Sequence, residues 1–158
     1  MASILKVDQI NDRTNNNKAI EVDSSGRVSM PKRPYATVGF IDNLAYVAKT
    51  AGAVVDFDRI LEQEGSDYST TTYKYTCPVD GLYMMSISVL TQNDNDKYQV
   101  NFYRDNDLMF SPYAVFRTMQ ASAIVPADAG DTLYFTSATA ANYYEAVSYT
   151  HLTLPTKA

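Results

Sequence analysis

The chain has 158 residues and a formal charge of −5, which is length for one domain with an appendage and for a core that needs no covalent staples. Its acidic balance, with Lys and Arg scattered rather than gathered on a stripe, argues against a nucleic-acid partner. Thirteen tyrosines, no tryptophan, and a dominance of Tyr, Val, Thr, Ile and Phe over runs of Leu, Glu and Lys predict an all-β chain without long amphipathic helices.

In chain order, residues 1–34 read as an arm. Three short apolar bursts, Ile4–Ile10, Ala19–Val22 and Val28–Met30, are separated by NDRTNNNK and DSSGR, whose Asn, Ser and Gly are turn chemistry, so a meander of small strands is expected. No burst is long enough to bury a face alone, and such strands gain stability only by packing on copies of themselves or on another domain. Pro31 and Pro34, around Lys32 and Arg33, mark a hinge, because proline stiffens the chain and donates no ladder bond. The phrases SILKVDQI and AIEVDSSGRVSMPKRP resemble the amino-terminal portion of tail-fibre and other structural proteins of marine bacteriophages, and the resemblance implies a trimeric stem or attachment segment. A generic polar hairpin at a domain edge is the other reading of the same residues.

Residues 35–147 read as strand after strand. Expected strands are Tyr35–Ile41, a short strand or loop at Leu44–Thr50, Ala53–Phe57, Tyr68–Tyr75 with its β-branched Thr run as a pleated edge, Leu82–Thr91, Tyr98–Arg104, Leu108–Phe110, part of Tyr113–Ile124, and Thr132–Ser137. Polar or glycine-bearing breaks separate them at the spacing of a two-sheet antiparallel sandwich, and a jelly roll fits best. The stretch YTCPVDGLYMMSISVL carries the clearest pattern: Tyr83, Met85, Ile87 and Val89 alternate with Met84, Ser86 and Ser88, which gives the strand one core face. Ahead of it Pro78 removes a donor and Gly81 permits a close bend.

The series Phe57, Gln63, Tyr68, Tyr75, Gly81, Tyr83, Met85 and Ile87, followed by GDTLYF from Gly130 to Phe135, resembles the signature of the globular heads of the complement-component-1q and tumour-necrosis-factor superfamily, with spacing intact. Gln63 stands where an acid or Asn is usual, and Tyr75, Met85 and Ile87 where Phe is usual; each keeps size or polarity class. The resemblance implies a trimeric jelly-roll head over most of residues 35–147, with Phe57, Tyr68, Tyr75, Gly81, Tyr83, Met85, Ile87 and Gly130 as architectural positions. Because those positions are architectural, they speak for fold and trimerisation rather than for a ligand.

Residues 148–158 are the doubtful part. The family head closes with a strand rich in Phe, Gly and Leu beside the first strand, whereas this chain ends AVSYTHLTLPTKA. The string SYTHLTLPT resembles a tail that recurs in translated metagenomic reads running into sequencing adapter, which implies that the native last strand is replaced and that Tyr35–Ile41 exposes unpaired backbone. The other reading makes the partly alternating Val147–Leu154 a real last strand.

Catalytic constellations are sparse. His151 is the single histidine, and no GxSxG, HExxH or CxxC accompanies it. Cys77 is the single cysteine, so it forms no disulfide within the chain, and beside Pro78 it suits a small buried filler better than a nucleophile. Glu62 and Glu64 share one loop without a cleft and read as surface charge rather than a glycosidase pair. Asp94 and Asp96 in one loop, and Asp105 and Asp107 in the next, offer clustered oxygens of the kind calcium requires. The strand Tyr98–Arg104 lies between those loops and at about 3.3 Å per residue holds them roughly 20 Å apart, so they cannot share one ion, and turn chemistry is the better account. Tyr98, Tyr113, Tyr143 and Tyr144, at or near strand ends, are candidate receptor contacts, since rigid amphipathic rings give contact area at low entropic cost.

These readings converge on a non-catalytic homotrimer without a cofactor, calcium being the one candidate. Together with the two resemblances they imply a phage tail-fibre or virion-surface head that recognises a host-cell surface receptor or glycan by avidity, with residues 1–34 joining other virion tail proteins. Folding is expected in a reducing host cytoplasm, because MASILKVDQI lacks a basic start and apolar run, and no apolar run nears the roughly 20 residues of a membrane span, so no membrane insertion is expected. A secreted lectin-like or immune-type head of the same fold, and a fibre-borne polysaccharide-degrading enzyme, are the alternatives.

Overall fold

A computed structural model describes residues 8–11, 18–30, 32–40, 46–91, 98–114, 118–139 and 141–153, giving the backbone alone for Lys18, Tyr46 and 141–153. The chain divides into two compact units, Met1–Arg33 and Pro34–Ala158.

In the first unit β1 (Gln9–Asn11), β2 (Lys18–Val22) and β3 (Val28–Ser29) form an antiparallel sheet in the order β1-β2-β3. The β2–β3 turn is built by Asp23, whose Oδ1 accepts from the backbone N–H of Ser25 at 2.8 Å and of Arg27 at 2.9 Å. Gly26 takes the positive φ of 77° that this turn needs. Ile10, Val28 and Met30 stay exposed, as expected of strands too short to cover their own apolar residues.

The second unit is an antiparallel jelly-roll sandwich of two sheets. One sheet runs β11 (Asp107–Phe110), β10 (Tyr98–Arg104), β14 (Thr132–Ser137), β8 (Lys74–Thr76), β7 (Tyr68–Ser69), with β12 (Tyr113–Ala114) also on β10. The other runs β13 (Thr118–Ala127), β9 (Gly81–Thr91), β15 (Ala141–Thr153), β4 (Tyr35–Gly39), β6 (Arg59–Gln63), with β5 (Tyr46–Lys49) also on β15. Strand β9 explains the order of the core. Its Tyr83, Met85, Ile87, Val89 and Thr91 are buried while Leu82 and Met84 are exposed, so period two sends one set into the sandwich. Facing them, Phe102 packs edge-on against Phe135 with centroids 4.8 Å apart, and Phe57 lies 4.7 Å from Phe40 and 6.4 Å from Phe135. Burying each such side chain contributes about 1.5–3 kcal/mol.

Several sequence expectations are corrected. Tyr68–Tyr75 is not one strand, because Ser69 turns the chain: its Oγ accepts from the N–H of Thr71 at 3.3 Å and Thr72 at 3.2 Å, and its carbonyl accepts from Tyr73 N–H at 2.7 Å. Local hydroxyl bonding outcompetes the β-branched propensity of the Thr run, and Tyr73 closes the hairpin at φ 59°. Ala53–Phe57 keeps a single bridge, Val54 to Thr136, while Arg59–Gln63, which the pattern did not mark, pairs with β4 as β6. Gly81 has no positive φ; it is the first residue of β9, opposite Ala127. The first strand does not lack a closing partner. Tyr149–Thr153 pairs with Gly39–Tyr35 on one side and Ser88–Met84 on the other, and its Tyr and Thr residues suit a pleat.

Candidate functional site

Tyr83, Cys77, Asp80 and Gly130 meet where β9 begins. The Tyr83 hydroxyl donates to the Val79 carbonyl at 2.7 Å and holds the Pro78–Asp80 bend. Cys77 N–H donates to Asp131 O and Gly130 N–H to Cys77 O, both at 2.8 Å, while Asp80 Oδ1 accepts from Ala129 N–H at 2.8 Å. Gly130 takes a φ of 97° there, a conformation that side chains rarely adopt. Phe57, Tyr68, Tyr75, Tyr83, Met85 and Ile87 are all buried. The Tyr68 hydroxyl donates to Phe57 O at 2.8 Å, and burial pushes the Tyr68 and Tyr75 hydroxyls well above the ordinary phenol range. Burial also pushes the Cys77 thiol up to about 12, so this cysteine is a packed thiol and not a thiolate nucleophile at neutral pH.

The acidic and histidine candidates separate. Asp105 Oδ1 accepts from Thr132 N–H at 2.8 Å and Thr132 Oγ1 at 2.9 Å, and Asp107 Oδ2 lies 3.3 Å from Arg104 Nη2. Asp94 and Asp96 lie outside the described residues, and among the described residues no three His, Cys, Asp or Glu side chains gather for a metal ion. Glu62 accepts from the Tyr35 hydroxyl at 2.9 Å. His151 sits in β15 opposite Thr37 and Ser86.

Asp105 is a turn-holding carboxylate. The Thr132 N–H, then the Thr132 hydroxyl, hold its carboxyl below the ordinary value of 3.8. A depressed folded-state value stabilises the protein above the unfolded value, and that contribution is lost as pH falls through the folded one. Asp105→Ala, which also puts Ala at a φ of 49°, is expected to cost about 1–2 kcal/mol at pH 7, and the gap between variant and wild type in urea melts should narrow by pH 3.

Of the candidate receptor contacts, Tyr98 is 3% exposed and belongs to the interior, while Tyr113 is 67% exposed. The backbones of Tyr143 and Tyr144 pair with β5 and β9, and their side chains lie outside the described residues.

The sequence reading missed a concavity on the outward face of the β10–β14–β8 sheet, about 340 Å³ in volume. Tyr134 lies in β14 between β10 and β8. Tyr103, its register partner, stacks on it at 5.3 Å and 10°, and Lys74 Nζ stands 4.0 Å from its ring centroid. The Tyr134 hydroxyl donates to Asp105 O at 2.6 Å, so this wall is locked. Two residues along, Asn101 and Thr136 are register partners beneath it, and Asn106 lies at the rim. Parity was the available signal, since core Phe102 and Phe135 put Tyr103 and Tyr134 on the outer face. What the sequence could not give was the register that brings them together.

A second outward feature runs along β13 and β9. Their cross-strand pairs are Pro126–Leu82, Ile124–Met84, Ser122–Ser86 and Gln120–Ser88. Leu82, Met84 and Ile124 are exposed, the last at 68%, while Ser122 and Ser86 share a hydrogen bond of 3.0 Å. The ladder is thus apolar at one end and hydroxyl-rich at the other.

Comparison with known proteins places this sandwich. A family model described as the C1q domain matches residues 40–153. The globular domain of zebrafish complement 1qA is similar at 12% identity and a TM-score of 0.60, over 79% of this chain and 98% of that one. Murine APRIL is similar at 10% identity and a TM-score of 0.61, over 78% of this chain and 99% of that one. PRD1 vertex protein P5 is similar at 11% identity and a TM-score of 0.56, over 77% of this chain and 97% of that one. No curated protein matches the sequence.

Proposed function

This chain belongs to the C1q domain family, and from that membership we propose that it is a non-catalytic binding head that works as a homotrimer, carried on a virion as a tail-fibre or surface component and recognising a host surface receptor. The observation that carries the reading is the apolar end of the β13–β9 ladder, where Leu82, Met84 and Ile124 stand in water on a single chain. Adjacent exposed apolar side chains mark a surface that a partner covers. Copies of the same chain are the partner proposed here, since three heads on one stem turn three weak contacts into avidity. The vertex protein of PRD1 supports the virion setting, because its fold is of this kind. The first unit, with exposed Ile10, Val28 and Met30, is proposed to join neighbouring tail proteins. No helix among the described residues is long and apolar enough to cross a membrane.

Sedimentation equilibrium tests the assembly. The wild type is expected at three times the chain mass with a melt that rises with concentration, and Ile124→Asp at one chain mass with a cooperative melt that does not. Each of three contacts then loses about 1.5–3 kcal/mol of apolar burial and gains a desolvated carboxylate. A wild-type monomer at micromolar concentration, or an unaltered Ile124→Asp trimer, would remove this face from the assembly. Adsorption of fluorescent wild-type head to host cells tests the recognition.

A further inference from the structure

We propose that the concavity over the β10–β14–β8 sheet is a binding site for an acidic saccharide, with the sugar carboxylate on Lys74 and ring hydroxyls on Asn101, Asn106 and Thr136. The inference rests on the binding-head reading and names the ligand chemistry and its place. Among the lining residues there is one cation and no carboxylate. The neighbouring acid, Asp105, is turned away onto Thr132. Asn101 Oδ1 is occupied by the Ser111 hydroxyl, which in turn accepts from Gln99 Nε2 at 2.7 Å, and this chain orients the amide so that its Nδ2 donor is the part left for a ligand. The site is therefore rich in donors and positively charged, which selects an acceptor-rich anion.

The wall selects a sugar over a bare inorganic anion. Tyr134, 9% exposed, is covered by Tyr103 on one side and Lys74 on the other, so half-buried Tyr103 supplies the aromatic surface, and such a surface beside hydrogen-bonding groups suits a ring that has an apolar face and a polar rim. Lys74 is held over Tyr134, and the Tyr134 hydroxyl is anchored on Asp105 O, so little side-chain freedom remains to be lost on binding. A volume of about 340 Å³ lies at the low end of the roughly 300–1,000 Å³ of ligand pockets, a size for a short saccharide rather than a folded partner. The concavity and the apolar β13–β9 ladder belong to different sheets.

Calorimetric titration of the full chain with an oligogalacturonate tests the proposal, and the same oligomer with its carboxylates reduced to alcohols is the control. Binding of the acidic oligomer, weakened by added salt and at least about tenfold weaker for the reduced one, is expected. Lys74→Met should weaken the acidic oligomer by about tenfold or more, and Thr136→Val by a few-fold. Should Lys74→Met fail to fold, the reduced oligomer reads the charge without altering the protein. No heat with the acidic oligomer, equal affinity for the two oligomers, or unchanged affinity in both variants overturns the site. Host-cell adsorption separates this outcome from the broader reading. Loss of oligomer binding in calorimetry together with adsorption that persists in a folded Lys74→Met head keeps both the site and the binding head and shows that cells are held elsewhere, whereas no heat from a wild type that still adsorbs to cells keeps the binding head and removes this site.

Discussion

Truncation after Ser148 is expected to abolish cooperative unfolding of the head, read as loss of the urea transition and of near-ultraviolet circular dichroism. The segment Tyr149–Thr153 is the link between β9 and β4: it faces Gly39–Tyr35 on one side and Ser88–Met84 on the other. Without it, β4 and β6 lose hydrogen-bonded connection to β13 and β9, and two rows of backbone donors and acceptors open beside buried Ala36, Val38, Met85 and Ile87. Each ladder hydrogen bond lost costs about 0.5–1.5 kcal/mol net and each of the apolar side chains opened to water about 1.5–3 kcal/mol, and several such losses reach the 5–15 kcal/mol that typically hold a domain. The pairing is uneven. Tyr144 faces Leu90 and Tyr149 faces Ser88, so three more residues pass on β15 than on β9 between the two paired stretches. A truncated chain with the full-length urea midpoint would show that β15 beyond Ser148 is dispensable, and would return to the head the open first strand that the sequence alone implied.

Much of the fold was legible because period two is a strong signal wherever one face is buried. Met85, Ile87 and Val89 against Met84, Ser86 and Ser88 gave β9, and Tyr98–Arg104 and Thr132–Ser137 have the expected bounds. Errors fell where local chemistry or tertiary context decides. The Thr run became a turn through the Ser69 hydroxyl, and Arg59–Gln63, with four of its five residues exposed, is a strand only because β4 needs an edge partner. Closure by β15 was one of two readings of the tail: the partial alternation of Val147–Leu154 offered a last strand beside Tyr35–Ile41, while the string SYTHLTLPT argued for a replaced one, and nothing local in YTHLT gives its register. The site was the least legible part. Tyr98 was chosen for its place at a strand end yet lies inside, while Lys74, Tyr103 and Tyr134 come from three strands and meet only through register.

Tyr83→Asp is expected to unfold the head, and Tyr83→Phe to leave it folded but weaker; comparing the two assigns the weight of this position between ring and hydroxyl. Tyr83 is 1% exposed, its ring lies 6.1 Å from Tyr75, and its register partner is buried Val125. Losing the ring costs about 3–5 kcal/mol through lost transfer and a residual cavity. A carboxylate in its place adds a desolvation penalty of several kcal/mol, so the sum reaches the scale of total domain stability. Tyr83→Phe keeps the ring and removes only the 2.7 Å bond to Val79 O, an expected cost of about 1–2 kcal/mol. That hydroxyl already resists ionisation, since burial pushes it up to about 12, so the bond persists across the pH range in which the head is handled. Urea melts of both variants decide the matter. A cooperative Tyr83→Asp transition at the Tyr83→Phe midpoint would show that the carboxylate escapes to water and that the start of β9 is not core. A Tyr83→Phe variant as unstable as Tyr83→Asp would move the weight from the ring to the hydroxyl that pins the Pro78–Asp80 bend, making that bend, rather than the alternating strand after it, the feature on which the sandwich depends.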